Sequence, residues 1–328
     1  MATVTARLST RRARCAAVLA VAVSAVALAG PAPASSTGSR SLPPAGVGYG
    51  WPVKPFFRQH AVRGAFGDPR IGVTPDGISK QFHFGVDVSA PNGTPVYATV
   101  TGVASIHPLH RDVVLIDASG GVELSYWHIV PTVHGGERVV AYKTVIGRVE
   151  RPWAHVHFSE ARFGRYLNPL RRGAMGPYAD RTKPTVGAVE LERDGRPVSL
   201  SSAGGTVDIV AEVEDETPIA APAPWSNTPV MPAIVRWRLL GPKGPITRWA
   251  TAVDFTETIP PADAFDGVFA LWTRQNHPNH PGRYRVYLAH AWNTAAAPNG
   301  RYRVEVEASD IRGNKAIAAF PLTVVNSR

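Results

Sequence analysis

Four of the eleven histidines fall in three short segments: His83-Phe84-Gly85-Val86-Asp87, Tyr126-Trp127-His128 and His155-Val156-His157. In a straight strand, at about 3.3 Å per residue, His83 and Asp87 stand about 13 Å apart, too far to share one ion. The chain must therefore bend between them, and Gly85 is the residue that permits a bend or a close backbone approach. His155 and His157 share one face of a strand, about 6.6 Å apart, with Val156 and Phe158 turned to the opposite, core-facing side. Neighbouring imidazoles on a flat strand do not easily hold the same ion. One can ligate while the other reaches a water on that ion. Two His and one Asp with an open fourth position make the donor count of a catalytic zinc site. Such an ion brings the pKa of a bound water toward about 7 and polarises a carbonyl, while nearby imidazoles move the proton and stabilise developing charge. Either pattern alone is weak; their joint appearance on short β-like segments with a third, aromatic-flanked His is much stronger.

The segments around these residues read as β structure. Short runs at Thr94–Ser105, Val113–Asp117, Val122–Ile129, Arg138–Val149 and His155–Ala161 are split by Gly-rich turns, which predicts a compact antiparallel sheet over residues 51–170. Residues 171–183 read as a linker. Beyond it, Val186–Glu192, Thr206–Glu214, Ile234–Leu240, Tyr284–Ala291, Tyr302–Ala308 and Ala316–Val325 recur as strands, with Glu216–Pro232 and Glu257–Pro281 as long loops. That spacing predicts an immunoglobulin-like β-sandwich over residues 184–328. The fold class expected is all-β, with no long amphipathic helical pattern anywhere.

Composition agrees. In 328 residues, 44% hydrophobic content excludes wholesale disorder, and 30 Gly with 30 Pro suit a turn-rich β chain of two domains. An Arg-bearing start, an apolar run from Cys15 to Ala29 and Ala32-Pro33-Ala34 before Ser35 predict a secretory signal peptide over 1–34. The run is shorter than the roughly 20 residues that span a bilayer, so a retained anchor is the second choice and no stable membrane insertion is expected after cleavage. Arg11-Arg12 leaves Sec or twin-arginine export open. Residues 35–50 read as a flexible lead-in. Cys15 is the single cysteine, so the mature chain has neither a thiol nucleophile nor thiolate ligands. Without the four arginines of the first 34 residues, 31 basic side chains face 25 acidic ones. They form no dense basic stripe, and no nucleic-acid partner is expected.

Residues 61–170 resemble the LytM/lysostaphin-type zinc metallopeptidases, the M23 family. The stretches that carry the resemblance are Gly64–Arg70, His83–Asp87, Gly93–Ala98, Gly102-Val103, Ser125–Ile129, Ile146-Gly147, His155–Glu160 and Asn168-Pro169. The resemblance implies an antiparallel LytM-type peptidase domain with one Zn2+ per chain. By position it makes His83, Asp87 and His157 the metal ligands, His155 the general base and His128 its partner in the transition state. It implies a peptidoglycan peptide as substrate and a secreted, cell-wall-associated protein. One stretch departs from the family: Arg148–Ala154, before the H-x-H, is bulky and charged where a Gly/Ser/Thr-rich turn is usual. This bears on substrate preference more than on catalysis.

Other residues receive blander readings. His60, His107, His110 and His134 are taken as surface or hydrogen-bonded histidines. Asn276–His280 is taken as a loop without the carboxylate that a second metal site needs. Asp215-Glu216 and Asp310 are taken as solvated turns in preference to a calcium site. Trp51, Trp127 and Trp153 are divided between core and groove. Ser125 lacks a G-x-S-x-G elbow and is not taken as a nucleophile. The reading is a secreted zinc endopeptidase acting on peptidoglycan stems or cross-links. Its rivals are a non-catalytic wall-binding protein or activator of another wall hydrolase, and a surface adhesin built on the C-terminal sandwich.

Overall fold

The computed structural model describes residues 48–75 and 77–327. The expected signal peptide and all but the last three residues of the lead-in lie outside them. Among the described residues, no helix is long and apolar enough to cross a membrane. The first region carries β1 (Val62–Gly64), β2 (Pro69–Thr74), β3 (Gly77–Phe82), β4 (Val86–Ser89), β5 (Pro95–Tyr97), β6 (Gly102–Ile106) and β7 (Val114–Asp117). It continues with β8 (Val122–Trp127), β9 (Ile129–Pro131), β10 (Arg138–Val139), β11 (Val145–Val149), β12 (His155–Arg162) and β13 (Arg165–Leu167). The second region carries β14 (Thr185–Arg193), β15 (Arg196–Val198), β16 (Thr206–Glu214), β17 (Ile234–Gly241), β18 (Gly244–Pro245) and β19 (Ala250–Asp254). After a one-turn helix α1 (Phe265–Val268) come β20 (Arg285–Asn293), β21 (Gly300–Ser309) and β22 (Lys315–Val324).

In the first region the main sheet runs β1-β4-β12-β8-β7-β6-β10, with β13 beside β12. A smaller sheet, β5-β11-β9, and a separate β2-β3 hairpin complete it. The single sheet expected from the sequence is therefore divided. Thr94–Ser105 breaks into β5 and β6, which join different sheets, and Arg138–Val149 breaks into β10 and β11 for the same reason. Period-2 patterning reports a strand but not its sheet.

Register explains the two faces of the main sheet. β12 lies between β4 and β8, with His157 opposite Asp87 and Trp127, and Phe158 opposite Val86 and Tyr126. Directly opposed residues share a face. Val86, Val88, Val156, Phe158 and Tyr126 thus fill one face, all fully buried, while Asp87, His155, His157 and Trp127 share the other. Glu160 falls on the core face and is compensated there: it accepts from Tyr49 Oη at 2.6 Å and from both terminal nitrogens of Arg171 at 2.6 and 2.7 Å.

The second region is two antiparallel sheets, β15-β14-β16-β20 and β18-β17-β21-β22, with β19 beside β17. Val207, Ile209, Ala211 and Val213 alternate inward from one sheet, and Val304, Val306, Leu322 and Val324 from the other, into a common apolar core. The two regions are one compact unit. Phe82 packs its ring against Phe255, Phe265 and Phe269 at 5.4–5.7 Å. Asn168 Nδ2 donates to the Phe255 carbonyl, and the Ile71 N–H donates to Gln275 Oε1.

Candidate metal centre

His83 lies just past β3, in the bend between β3 and β4. That bend brings its Nε2 to 3.1 Å from Asp87 Oδ1. Gly85 makes it possible: a Cβ there would sit 2.9 Å from the His157 ring and collide with the Phe158 carbonyl. His157 Nδ1 lies 2.7 Å from His83 Nε2 and 3.2 Å from Asp87 Oδ1. In a tetrahedron of bonds near 2.05 Å, ligand atoms stand roughly 3.3 Å apart, so the three donors converge with the spacing that a zinc ion needs. His83, Asp87 and His157 are all buried.

Outer contacts hold these donors. His83 Nδ1 donates to the Ala65 carbonyl at 2.8 Å, which leaves Nε2 with a lone pair toward the centre. Arg70 Nη2 donates to Asp87 Oδ2 at 2.8 Å, leaving Oδ1 to face the imidazoles. Asp68 accepts from the Ala65 N–H at 2.9 Å and from the Met231 N–H at 2.8 Å, so the second region braces the turn that positions His83.

Burial and neighbouring charge keep the groups in the right forms. Burial, reinforced by the Arg70 charge, pushes His157 down to about 3. Burial and the Arg70 charge also lower His83. Burial opposes ionisation of Asp87, but its interactions with His83, His155 and Arg70 overcome it and hold the carboxyl well below the usual range. The set is thus two neutral imidazoles and one carboxylate.

His155 points Nε2 toward the same oxygen, 3.4 Å from Asp87 Oδ1. Its Nδ1 lies 2.8 Å from the Trp153 carbonyl and 2.6 Å from Arg63 Nη2. His128 follows β8 at φ 64°, a conformation that turns its ring back over the site, 4.7 Å from His155 and stacked on Trp153 at 4.1 Å. Burial, then the unfavourable placing of a further cation beside His155 and His157, push His128 down to about 4. Its Nδ1 is 3.4 Å from Asp112 Oδ2 but makes no hydrogen bond.

A cleft of about 660 Å³ opens over these groups. Trp127 and Trp153 line it, whereas Trp51 is fully buried in the core, which separates the three tryptophans. The far wall comes from the second region: Pro224, Trp225 and Gln275–Pro278. The sequence reading did not find this wall, nor Arg63, because no local pattern links loops so far downstream to the histidine segments. His277 belongs to the wall. His280 faces Arg274 instead, at 3.3 Å.

The reading of Asp215 and Asp310 as solvated turns needs correction. Both are buried, and with Asp180 they bring carboxylate oxygens within 4.8 Å of one another. Part of the reason is local: Asp310 Oδ1 accepts from the Arg312 and Asn314 N–H groups, folding its turn inward. Burial, then the Asp310 and Asp180 charges, push Asp215 up to about 8. Ser125 Oγ shares a hydrogen bond with Ser159 Oγ and accepts from Trp127 Nε1, and among the described residues no imidazole bonds to it directly.

Comparisons with known proteins bear on this centre. The sequence profile of peptidase family M23 matches residues 81–169. The DD-carboxypeptidase/endopeptidase Mpg of Neisseria meningitidis serogroup B is 32% identical over 138 residues, covering 37% of this chain and 31% of that protein. Mpg of Neisseria gonorrhoeae matches to the same extent. The chain therefore spans about a third of the length of these relatives. Among solved structures, a chain of the SpoIIIAH–SpoIIQ complex aligns with a TM-score of 0.31 and 19% identity, covering 37% of this chain and 97% of that one. The M23 metalloprotease pseudoalterin aligns with a TM-score of 0.25 and 17% identity, covering 50% and 95%.

Proposed function

We propose, on the premise that this chain carries a domain of peptidase family M23 over residues 81–169, that it is a secreted zinc-dependent hydrolase of peptide bonds in peptidoglycan. The observation that carries this reading is the convergence of His83 Nε2, Asp87 Oδ1 and His157 Nδ1 within 3.2 Å of one another, with His155 Nε2 aimed at the same point. His83, Asp87 and His157 would hold the zinc. When bound, it supplies Lewis acidity for activating water and polarising the scissile carbonyl.

The chain's own residues do the rest. In the tautomer whose Nδ1–H donates to the Trp153 carbonyl in place of accepting from Arg63 Nη2, His155 keeps a lone pair on Nε2. That nitrogen takes the proton of the attacking water and returns it to the departing amine nitrogen as the C–N bond breaks. His128, held neutral by its buried place, offers a ring N–H to the oxygen that gains charge. Arg70 and the Ala65 carbonyl fix Asp87 and His83 throughout. The names of the Mpg relatives support a peptidoglycan peptide as substrate. Two antiparallel sheets support reading the second region as an immunoglobulin-like sandwich that shapes the cleft.

The test is release of new free amino groups from purified peptidoglycan by the chain starting at Ser35. It is run beside His155→Ala and a chelated control. Release by the wild type alone is expected. No release by folded, zinc-loaded protein overturns the reading in favour of a non-catalytic wall-binding protein or an activator of another hydrolase.

A further inference from the structure

The metal cleft does not end at Phe84. That ring stands 4.6 Å from the His157 ring, 5.5 Å from Trp127 and 4.6 Å from Tyr166. Beyond it lies a second groove of about 370 Å³, and Gln81 and Phe84 line both cavities. Its size falls within the range of small-ligand sites. Tyr166, on β13, gives the groove an aromatic ring with 38% of its surface exposed. Residues 258–262 of the second region bring Pro260 and Pro261 to it. The groove is therefore built, like the cleft, by both regions.

These surfaces are poor partners for a peptide main chain. β13 is paired with β12 along one edge, and Leu167 bridges to Thr258 on the other. Pro260 and Pro261 have no N–H to give. A peptide bound by strand addition needs a free row of such groups. What the groove offers is the Tyr166 ring and two proline rings, with the Arg165 guanidinium, the Gln81 amide and the Thr258 hydroxyl as polar groups. That set suits a sugar. Its C–H bonds lie against the negative face of an aromatic ring, while its hydroxyl and amide groups meet the polar side chains.

We propose that this groove binds an N-acetylated sugar of the glycan that carries the stem peptide, while the peptide itself runs past Phe84 to the metal centre. The inference deepens the hydrolase reading and rests on it. Two ring-to-ring steps of 4.6 Å each lead from Tyr166 to His157. An extended chain covers at most about 3.3–3.6 Å per residue, so about three residues join the two sites. A sugar in the groove thus sets a bond of its own stem at the centre. The chain favours peptide still carried by glycan over free peptide.

The probe is a set of cross-linked muropeptides bearing their disaccharides, beside the same peptides freed of sugar by an amidase. Release of amino groups from each is measured with the zinc-loaded chain, and binding of each to the chelated chain by calorimetry. The wild type is expected to favour the sugar-bearing form by about 3- to 10-fold, chiefly through KM, the worth of one stacked ring. Tyr166→Ala should bring that ratio near one, and Tyr166→Phe should keep it. Ala262→Trp, which puts bulk into the groove from the second region, should lower it. Circular dichroism melts establish that each variant is folded, and Ala262→Trp carries the test if Tyr166→Ala is not. Equal KM for the two forms in the wild type overturns the proposal. So does an unchanged ratio in folded Tyr166→Ala, even with both rates reduced, because the groove would then serve the peptide. If neither form is cut but the sugar-bearing one binds more tightly in a Tyr166-dependent way, the hydrolase reading falls and the sugar site stands. If neither is cut and both bind alike, both fall.

Discussion

The two regions use buried polarity in opposite ways. In the first, one face of the main sheet gathers His83, Asp87, His155 and His157, groups that cannot satisfy one another without a further ligand. In the second, the buried charges around Arg285 answer each other: Arg285 Nη2 lies 2.6 Å from both Glu190 and Glu192. That cluster is thus closed electrostatically, while the first region's face is left open at one point. The difference teaches where to look for chemistry. A buried charge with a partner on its own chain is architecture, and one without is waiting for something. Arg63 and Arg285 make the contrast within one residue type, since both are buried and, of the two, Arg285 alone has carboxylates within salt-bridge distance.

Breaking the open side should have the largest effect. Asp87→Ala removes the one anionic donor, and we expect metal content by atomic emission to fall to background with hydrolysis lost. His155→Ala should retain the metal and lower kcat by about 10²- to 10⁴-fold. Equal metal loss in both would merge the two roles. The closed side should break differently. Arg285→Ala strands Glu192 and is expected to cost about 3–5 kcal/mol in urea unfolding, with metal content unchanged. An effect below about 1 kcal/mol would show that the pair is not desolvated.

Arg70→Met sharpens the comparison from an intermediate position, because Arg70 pairs with a candidate ligand and touches no ion itself. Loss of its bond to Asp87 Oδ2 should weaken zinc affinity by about 10- to 100-fold in a competition titration with a chelator.

The smallest effects lie in pH. His157 and His128 have folded values near 3 and 4, below the unfolded value of about 6.5. As pH falls below 6.5 the unfolded chain takes up protons that the folded chain refuses, so these groups contribute stability above 6.5 that is lost on acidification. Asp215 has the opposite sign. Its folded value near 8 exceeds the unfolded 3.8, so its contribution is present at low pH and is lost as pH rises through 8. In melts of the chelated chain, His128→Asn should flatten the acid side, and Asp215→Asn should raise the midpoint near pH 8. The same slope in all three proteins would mean that these sites do not govern it.

The sequence by itself determined the chemistry available and the alternation that sorts it. His155 and His157 had to share a face, Val156 and Phe158 the other, and Gly85 had to admit a close neighbour; strand geometry and a missing Cβ suffice for that. All-β architecture followed equally from short patterned runs and dense turns. Other matters were decided only in three dimensions. Strand pairing sent β5 and β6 to different sheets, although they read as one run. Folding put Asp215 and Asp310, 95 residues apart, into one buried group with Asp180. It also carried Trp225 and His277 across to the metal cleft. Sequence periodicity records which side of a strand a residue occupies, because that is a local property of the backbone. It does not record what faces that side, because a partner distant in the chain leaves no mark on the spacing of its neighbours.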